Sequence, residues 1–216
     1  SGVTLANIPT NIIEHVEIYK GVVPAHLGAD ALGGAINIIT KKDRRSYLDI
    51  SYGIGSFHTH KADLNAQFVE KKTGLIIRPT LGINYSKNDY TMKGVQIWDA
   101  ESRKYILVNR NRFHDDYSSL FGQLEIGFTN KSWADAFFVS ASYSDVDKEI
   151  QTGSIQSKVV GMAEKESEAW SIATRYQKRD FILKNLQLNV SLSHTWDHSL
   201  TVDTAFRKYD WNGNYI

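Results

Sequence analysis

A chain of 216 residues with 42% hydrophobic and 23% charged residues is too apolar for wholesale disorder and long enough for one domain or two small ones. Its 25 Lys+Arg against 24 Asp+Glu, a net charge of +1, create no global field that would draw it to nucleic acid or anionic lipid. With no cysteine it has no disulfide, thiolate metal site or thiol nucleophile, and no apolar run approaches the roughly 18 residues of a transmembrane helix.

That last exclusion covers helical membrane proteins only. The strands of a membrane barrel alternate polar and apolar residues and average out to a soluble-looking hydropathy, here −0.35. Plentiful aromatics (5 Trp, 11 Tyr, 9 Phe) and only 3 Pro favour strands.

The first forty residues read differently from the rest. A short strand-like run over Ile12 to Tyr19 leads into a Gly-rich turn region, and Ala35 to Thr40 reads as a second strand. The basic cluster Lys41 to Arg45 closes this piece, so we place a boundary between residues 1–42 and 43–216.

Beyond it, period-2 alternation dominates, the mark of strands with one apolar face. The first three runs carry Leu48, Ile50, Tyr52 and Ile54; Ala62, Leu64, Ala66 and Phe68; and Leu75, Ile77, Pro79, Leu81, Ile83 and Tyr85. Pro79 lacks a donor, which predicts a bulge or broken ladder there. The fourth to sixth carry Leu120, Leu124, Ile126 and Phe128; Trp133, Phe137, Val139, Ala141 and Tyr143; and Trp170, Ile172, Thr174 and Tyr176. The seventh carries Leu186, Leu188, Val190, Leu192 and Trp196. Short connections near 71–74, 130–132 and 179–184 alternate with long polar segments at about 88–115 and 147–165, and a further one opens at Ser199. The first connection, near Gly55 to His58, is also short.

Outer-membrane barrels have tight turns at one end and long loops at the other. A soluble sandwich or lipocalin-like barrel alternates too. Against it stand runs of about ten residues, long enough to cross a bilayer on a tilt. Aromatics near run ends and a densely polar opposite face point the same way. The expected register turns Leu64, Ile83, Ile126, Val139 and Leu188 to lipid, and Asn65, Asn84, Glu125, Ser140 and Asn189 to the lumen.

Residues Ile13 to Lys41, IEHVEIYKGVVPAHLGADALGGAINIITK, resemble the end of the plug domain of TonB-dependent outer-membrane receptors. Glu14, Glu17, Lys20, Gly21, Gly28, Gly33, Gly34 and Asn37 fall on the family's characteristic positions without a gap, as do Ala31, Ile36, Ile38, Thr40 and Lys41. The departures are His15 where Arg is usual, Val22 for Pro, Pro24 for Ser, Leu27 for an aromatic and Asp30 for Gly. The resemblance implies a mainly all-β fragment: the C-terminal part of a small α+β plug, then the first seven or so strands of a transmembrane antiparallel β-barrel of about 22. It further implies TonB-dependent uptake of a scarce solute, such as siderophore-bound iron, haem, cobalamin or carbohydrate, across the outer membrane. Expected partners are TonB–ExbB–ExbD, acting through a segment upstream of Ser1, together with outer-membrane lipid and a small solute or metal chelate. Nucleic acid, catalytic residues, a cofactor and a resident metal are not expected. Lys20 aligns with a basic position that in the family faces barrel carboxylates. The alternative is a porin or barrel enzyme, which lacks the plug signature.

Other chemistries fare worse. The stretch Gly28 to Gly34 fails the G-x-G-x-x-G order of a dinucleotide loop. His58 with His60, and His194 with His198, have spacings that metal ligands use, but polar loop-edge residues are the better account of both pairs. Asp115–Asp116 and Asp145–Asp147 offer oxygen donors of the calcium type, and solvated strand ends account for them. The longest connection contains a hairpin, Val95–Trp98 returning as Lys104–Leu107, which lifts Trp98 and Tyr105 above the rim. Its returning side is basic, which makes Arg103, Arg110 and Arg112 candidate contacts to an anionic cargo, because guanidinium groups bind carboxylates and phosphates in a fixed fork geometry; the alternative is an exposed loop simply rich in charge.

Overall fold

The computed structural model describes residues 13–21, 23–24, 33–40, 45–153, 158–203 and 207–215. Strands β1 (Ile13–Lys20) and β2 (Gly34–Thr40) form an antiparallel pair with Glu17 opposite Asn37 and Lys20 opposite Gly34. Gly34 has a φ of 145°, and a Cβ there would overlap the Tyr19 carbonyl oxygen. Only glycine fits such a place.

The rest is antiparallel sheet. In chain order the strands are β3 (Tyr47–Gly55), β4 (Thr59–Glu70), β5 (Leu75–Ser86), β6 (Thr91–Asp99), β7 (Lys104–Asn111) and β8 (Tyr117–Thr129). Then come β9 (Ala136–Thr152), β10 (Val159–Lys178) and β11 (Leu188–Val202). Seven of them form one sheet in the order β11-β10-β9-β8-β5-β4-β3, an up-and-down meander, while β6 and β7 pair only with each other inside the β5–β8 connection. The sheet is not closed. No helix occurs among the described residues.

Register decides which way each side chain points. Cα pairing runs Ile50, Leu64, Leu81, Gly122, Tyr143, Trp170 and Trp196 in one line across all seven strands. The adjacent line, on the opposite face, is Asp49, Asn65, Thr80, Gln123, Ser142, Ser171 and Thr195. Exposure is inverted relative to a water-soluble sheet: Ile50 is 66% and Leu192 68% exposed, whereas Asn65 is 4% and Gln67 0%. A soluble protein hides its apolar face. A barrel wall in lipid shows it and turns the polar face inward, so the sheet has the character of part of such a barrel. Leu64, Ile83, Ile126, Val139 and Leu188 share the apolar face, as their alternation predicts, and Asn65, Asn84, Glu125, Ser140 and Asn189 share the polar one.

Pro79 acts as expected on one side: the β4–β5 ladder lapses between Asn65–Thr80 and Phe68–Ile77, while Pro79 still faces Leu124 of β8. Three boundaries differ from the sequence reading. The polar segment 147–165 is largely strand, since β9 runs to Thr152 and β10 begins at Val159; β11 likewise continues past Ser199 to Val202. Backbone pairing is indifferent to side-chain polarity, so strands with two polar faces leave no period-2 signal. Trp133 lies in the β8–β9 turn, where it packs edge-on against Phe128 and Phe137 at 6.5 and 5.5 Å.

One end of the sheet carries the turns 71–74, 130–135 and 179–187. The other carries the tight β3–β4 turn, the β6–β7 hairpin, the β9–β10 connection and the 207–215 segment.

Candidate ligand-capture face

The β6–β7 hairpin is built as the sequence predicts, with Trp98 opposite Tyr105 and Ile97 opposite Ile106. It is two-faced. Val95 (3% exposed) and Ile97 (8%) pack on Trp211 (2%), with Met92, Val108 and Val159 around them. Sequence reading missed Trp211, which stands outside any periodic run. The segment it belongs to folds back on the hairpin, and Arg110 Nε donates to Asn212 Oδ1 at 2.7 Å.

The opposite face is open. The rings of Trp98 and Tyr105 stand edge to face with centroids 5.2 Å apart, and Leu107 beside them is exposed. The turn is fixed by Asp99, whose Oδ2 accepts from the Ser102 N–H at 3.1 Å; the Ser102 side chain first, and then its backbone N–H, hold the Asp99 carboxyl below its ordinary value. Arg103 follows with a φ of 52° and is exposed.

The three arginines differ in what they can do. Arg103 is offered to solvent, and Arg110 is half-buried and tied to Asn212. Arg112 is buried, 2.8 Å from Asp115 Oδ2 and over the Tyr90 ring at 5.4 Å. Its charge is satisfied internally, so Arg112 supports the loop from below.

On the β1–β2 pair, Glu17 Oε2 accepts from Asn37 Nδ2 at 2.9 Å and from the Tyr19 hydroxyl at 2.8 Å. The Asn37 bond first, then the Tyr19 bond, keeps the Glu17 carboxyl below its ordinary value. Two signature positions, twenty residues apart, therefore form one cross-strand contact. Glu14 and Lys20 are exposed, and the Gly21 N–H reaches the Gly33 carbonyl at 3.4 Å with Gly21 at a φ of 83°. Gly28 lies outside the described residues.

The polar face of the large sheet carries its own cluster. Glu125 lies between Arg78 and Arg175, Arg78 Nε donates to Gln67 Oε1 at 2.6 Å, and both guanidiniums sit over the Phe138 ring at 4.9 and 5.1 Å. The histidine pairs have separate partners. His58 is 4.0 Å from Asp89, and His60 Nδ1 lies 2.8 Å from the Tyr52 hydroxyl. His194 packs on Trp196 at 4.3 Å.

No protein-family profile matches the chain. Three curated proteins, each named vitamin B12 transporter BtuB, from Vibrio cholerae serotype O1 strains O395, M66-2 and El Tor Inaba N16961, are each 25% identical over 196 residues. The match covers 89% of this chain and 29% of the relatives' own length. The likeness is distant. It agrees in kind with the resemblance carried by residues 13–41, to the TonB-dependent receptors.

Proposed function

We propose that this chain is a stretch of a TonB-dependent transporter of the outer membrane, with residues 1–42 ending the plug and 43–216 opening the barrel wall. The observation that carries this reading is the inverted exposure of a seven-stranded meander that directly follows the Glu17–Asn37 hairpin. Apolar side chains line the outward face over most of the wall, and polar ones such as Asn65, Gln67 and Thr80 are hidden on the other. The distant likeness to vitamin B12 transporters supports the same class.

In this account solute is captured at the loop-rich end and moved inward by work delivered from TonB–ExbB–ExbD. No bond is made or broken. The exposed Trp98–Tyr105 pair offers an aromatic edge to a large, partly apolar cargo, and Arg103 beside it suits an anionic group. Cobalamin, haem and ferric siderophores share those features; an uncharged carbohydrate would use the rings alone.

A strain lacking the intact gene should lose accumulation of one such labelled solute, and loss of TonB should cause the same defect. Uptake that persists without TonB would identify a passive pore instead. With the cargo known, Trp98→Ser combined with Arg103→Ser should weaken its binding tenfold or more, taking about 1.5–3 kcal/mol for a charged hydrogen bond alone. Barrel assembly should be unaffected.

A further inference from the structure

The outward face of β9 and β10 turns acidic toward the loop-rich end, where pairing sets Glu149 directly opposite Glu164. Like charges in that relation repel. Against them lies His114, 3% exposed, from the segment that links β7 to β8. Gln151 Oε1 fixes that segment by accepting the backbone N–H groups of Phe113 and His114 at 2.7 and 3.2 Å.

The ring's own contacts set its tautomer. His114 Nε2 lies 3.0 Å from the Ala163 carbonyl oxygen, which can only accept, so Nε2 carries a proton. In the neutral ring Nδ1 is then a lone pair. Glu149 Oε1 stands 3.2 Å from it and, when ionised, also only accepts. Glu149 Oε2 is occupied by the Asp116 N–H at 2.9 Å, leaving Oε1 free for this meeting. Donor atoms of His114, Glu149 and Glu164 all lie within 4.8 Å of one another. A buried lone pair facing carboxylate oxygens needs something positive between them.

We propose that His114 Nδ1, Glu149 and Glu164 bind a divalent cation of the zinc class. With metal–donor lengths of about 2.1 Å, the 3.2 Å separation of Nδ1 and Oε1 subtends about 100° at the metal, close to a tetrahedral angle. Glu164 is exposed and free to swing the last ångström inward. An imidazole donor favours zinc over calcium or magnesium, which take oxygen ligands. The outer partners also suit a metal: a ligating histidine ordinarily donates its other N–H to a carbonyl, and a ligating carboxylate is itself hydrogen-bonded. The ion would join the 112–116 segment to β9 and β10, pinning the root of the β6–β7 hairpin to the wall.

The competing arrangement is a plain imidazolium–carboxylate pair between His114 and Glu149, and Glu164→Gln separates the two. That substitution removes a metal donor at an exposed position and leaves the pair intact. The test titrates the intact, detergent-solubilised protein with Zn²⁺ alone against a chromophoric chelator. We expect one ion per chain with micromolar or tighter affinity, weakened at least tenfold in Glu164→Gln and in His114→Gln. Co²⁺ should give the visible absorption of a four-coordinate site, lost in both variants. Absence of saturable Zn²⁺ binding, or binding unchanged in the folded Glu164→Gln protein, overturns the assignment.

Discussion

Glu17 and Asn37 show what one residue pair contributes to the β1–β2 unit. Because the folded carboxyl titrates below its ordinary value, the contact favours the folded state above the ordinary carboxylate range, and that contribution is lost as pH falls through the lowered value. Asn37→Ala should therefore raise the Glu17 titration midpoint, as followed by the carboxyl carbon shift in NMR, and flatten the acid limb of stability. An unchanged midpoint would mean the bond is absent in solution. The neighbouring glycines give a sharper contrast. Gly34→Ala should destabilise the hairpin by more than about 1 kcal/mol, since φ is positive and the added carbon meets the Tyr19 carbonyl. Gly33→Ala meets nothing within 4 Å and should be nearly neutral in the same denaturation assay. Both glycines belong to the recognised motif, but its text cannot tell them apart. Only the backbone angle does.

At the scale of elements, legibility followed chemistry. Strands with one apolar and one polar face announced themselves by alternation, so Leu75 to Tyr85 was readable to within one residue and Leu120 to Phe128 to within three. The upper halves of β9 and β10 carry Asp147 and Glu149 opposite Glu166 and Glu164; with charge on the outward face, alternation vanished and strand read as loop. The β6–β7 hairpin was legible from Val95 and Ile97, whereas their cover, Trp211, arrives from more than a hundred residues away and left no local mark. Arg112 was equally opaque, because a guanidinium tied to Asp115 and one offered to a ligand look identical in sequence. Trp211→Ala should cost the hairpin about 3–5 kcal/mol of local stability, the usual loss for a buried aromatic. Hydrogen exchange would show this as lost protection over residues 91–111, with the β4–β5 and β8–β9 ladders unaffected. Equal loss throughout would contradict a local role for Trp211 in the hairpin.

For the whole molecule the central claim is the direction of the two faces. On the proposed reading the wall meets lipid with Ile77, Ile126, Val139 and Leu192, while Arg78, Glu125, Ser140 and Ser193 look the other way. An absence in the composition makes this directly testable, because a chain without cysteine can carry single cysteines anywhere. Spin labels at those eight positions, in the intact protein reconstituted in bilayers, report collisions with lipid-soluble oxygen and with an aqueous nickel chelate. The account predicts that residues 77, 126, 139 and 192 collide with oxygen and that 78, 125, 140 and 193 do not, a strict alternation repeated on four strands. Equal access of the nickel chelate to both sets would contradict it.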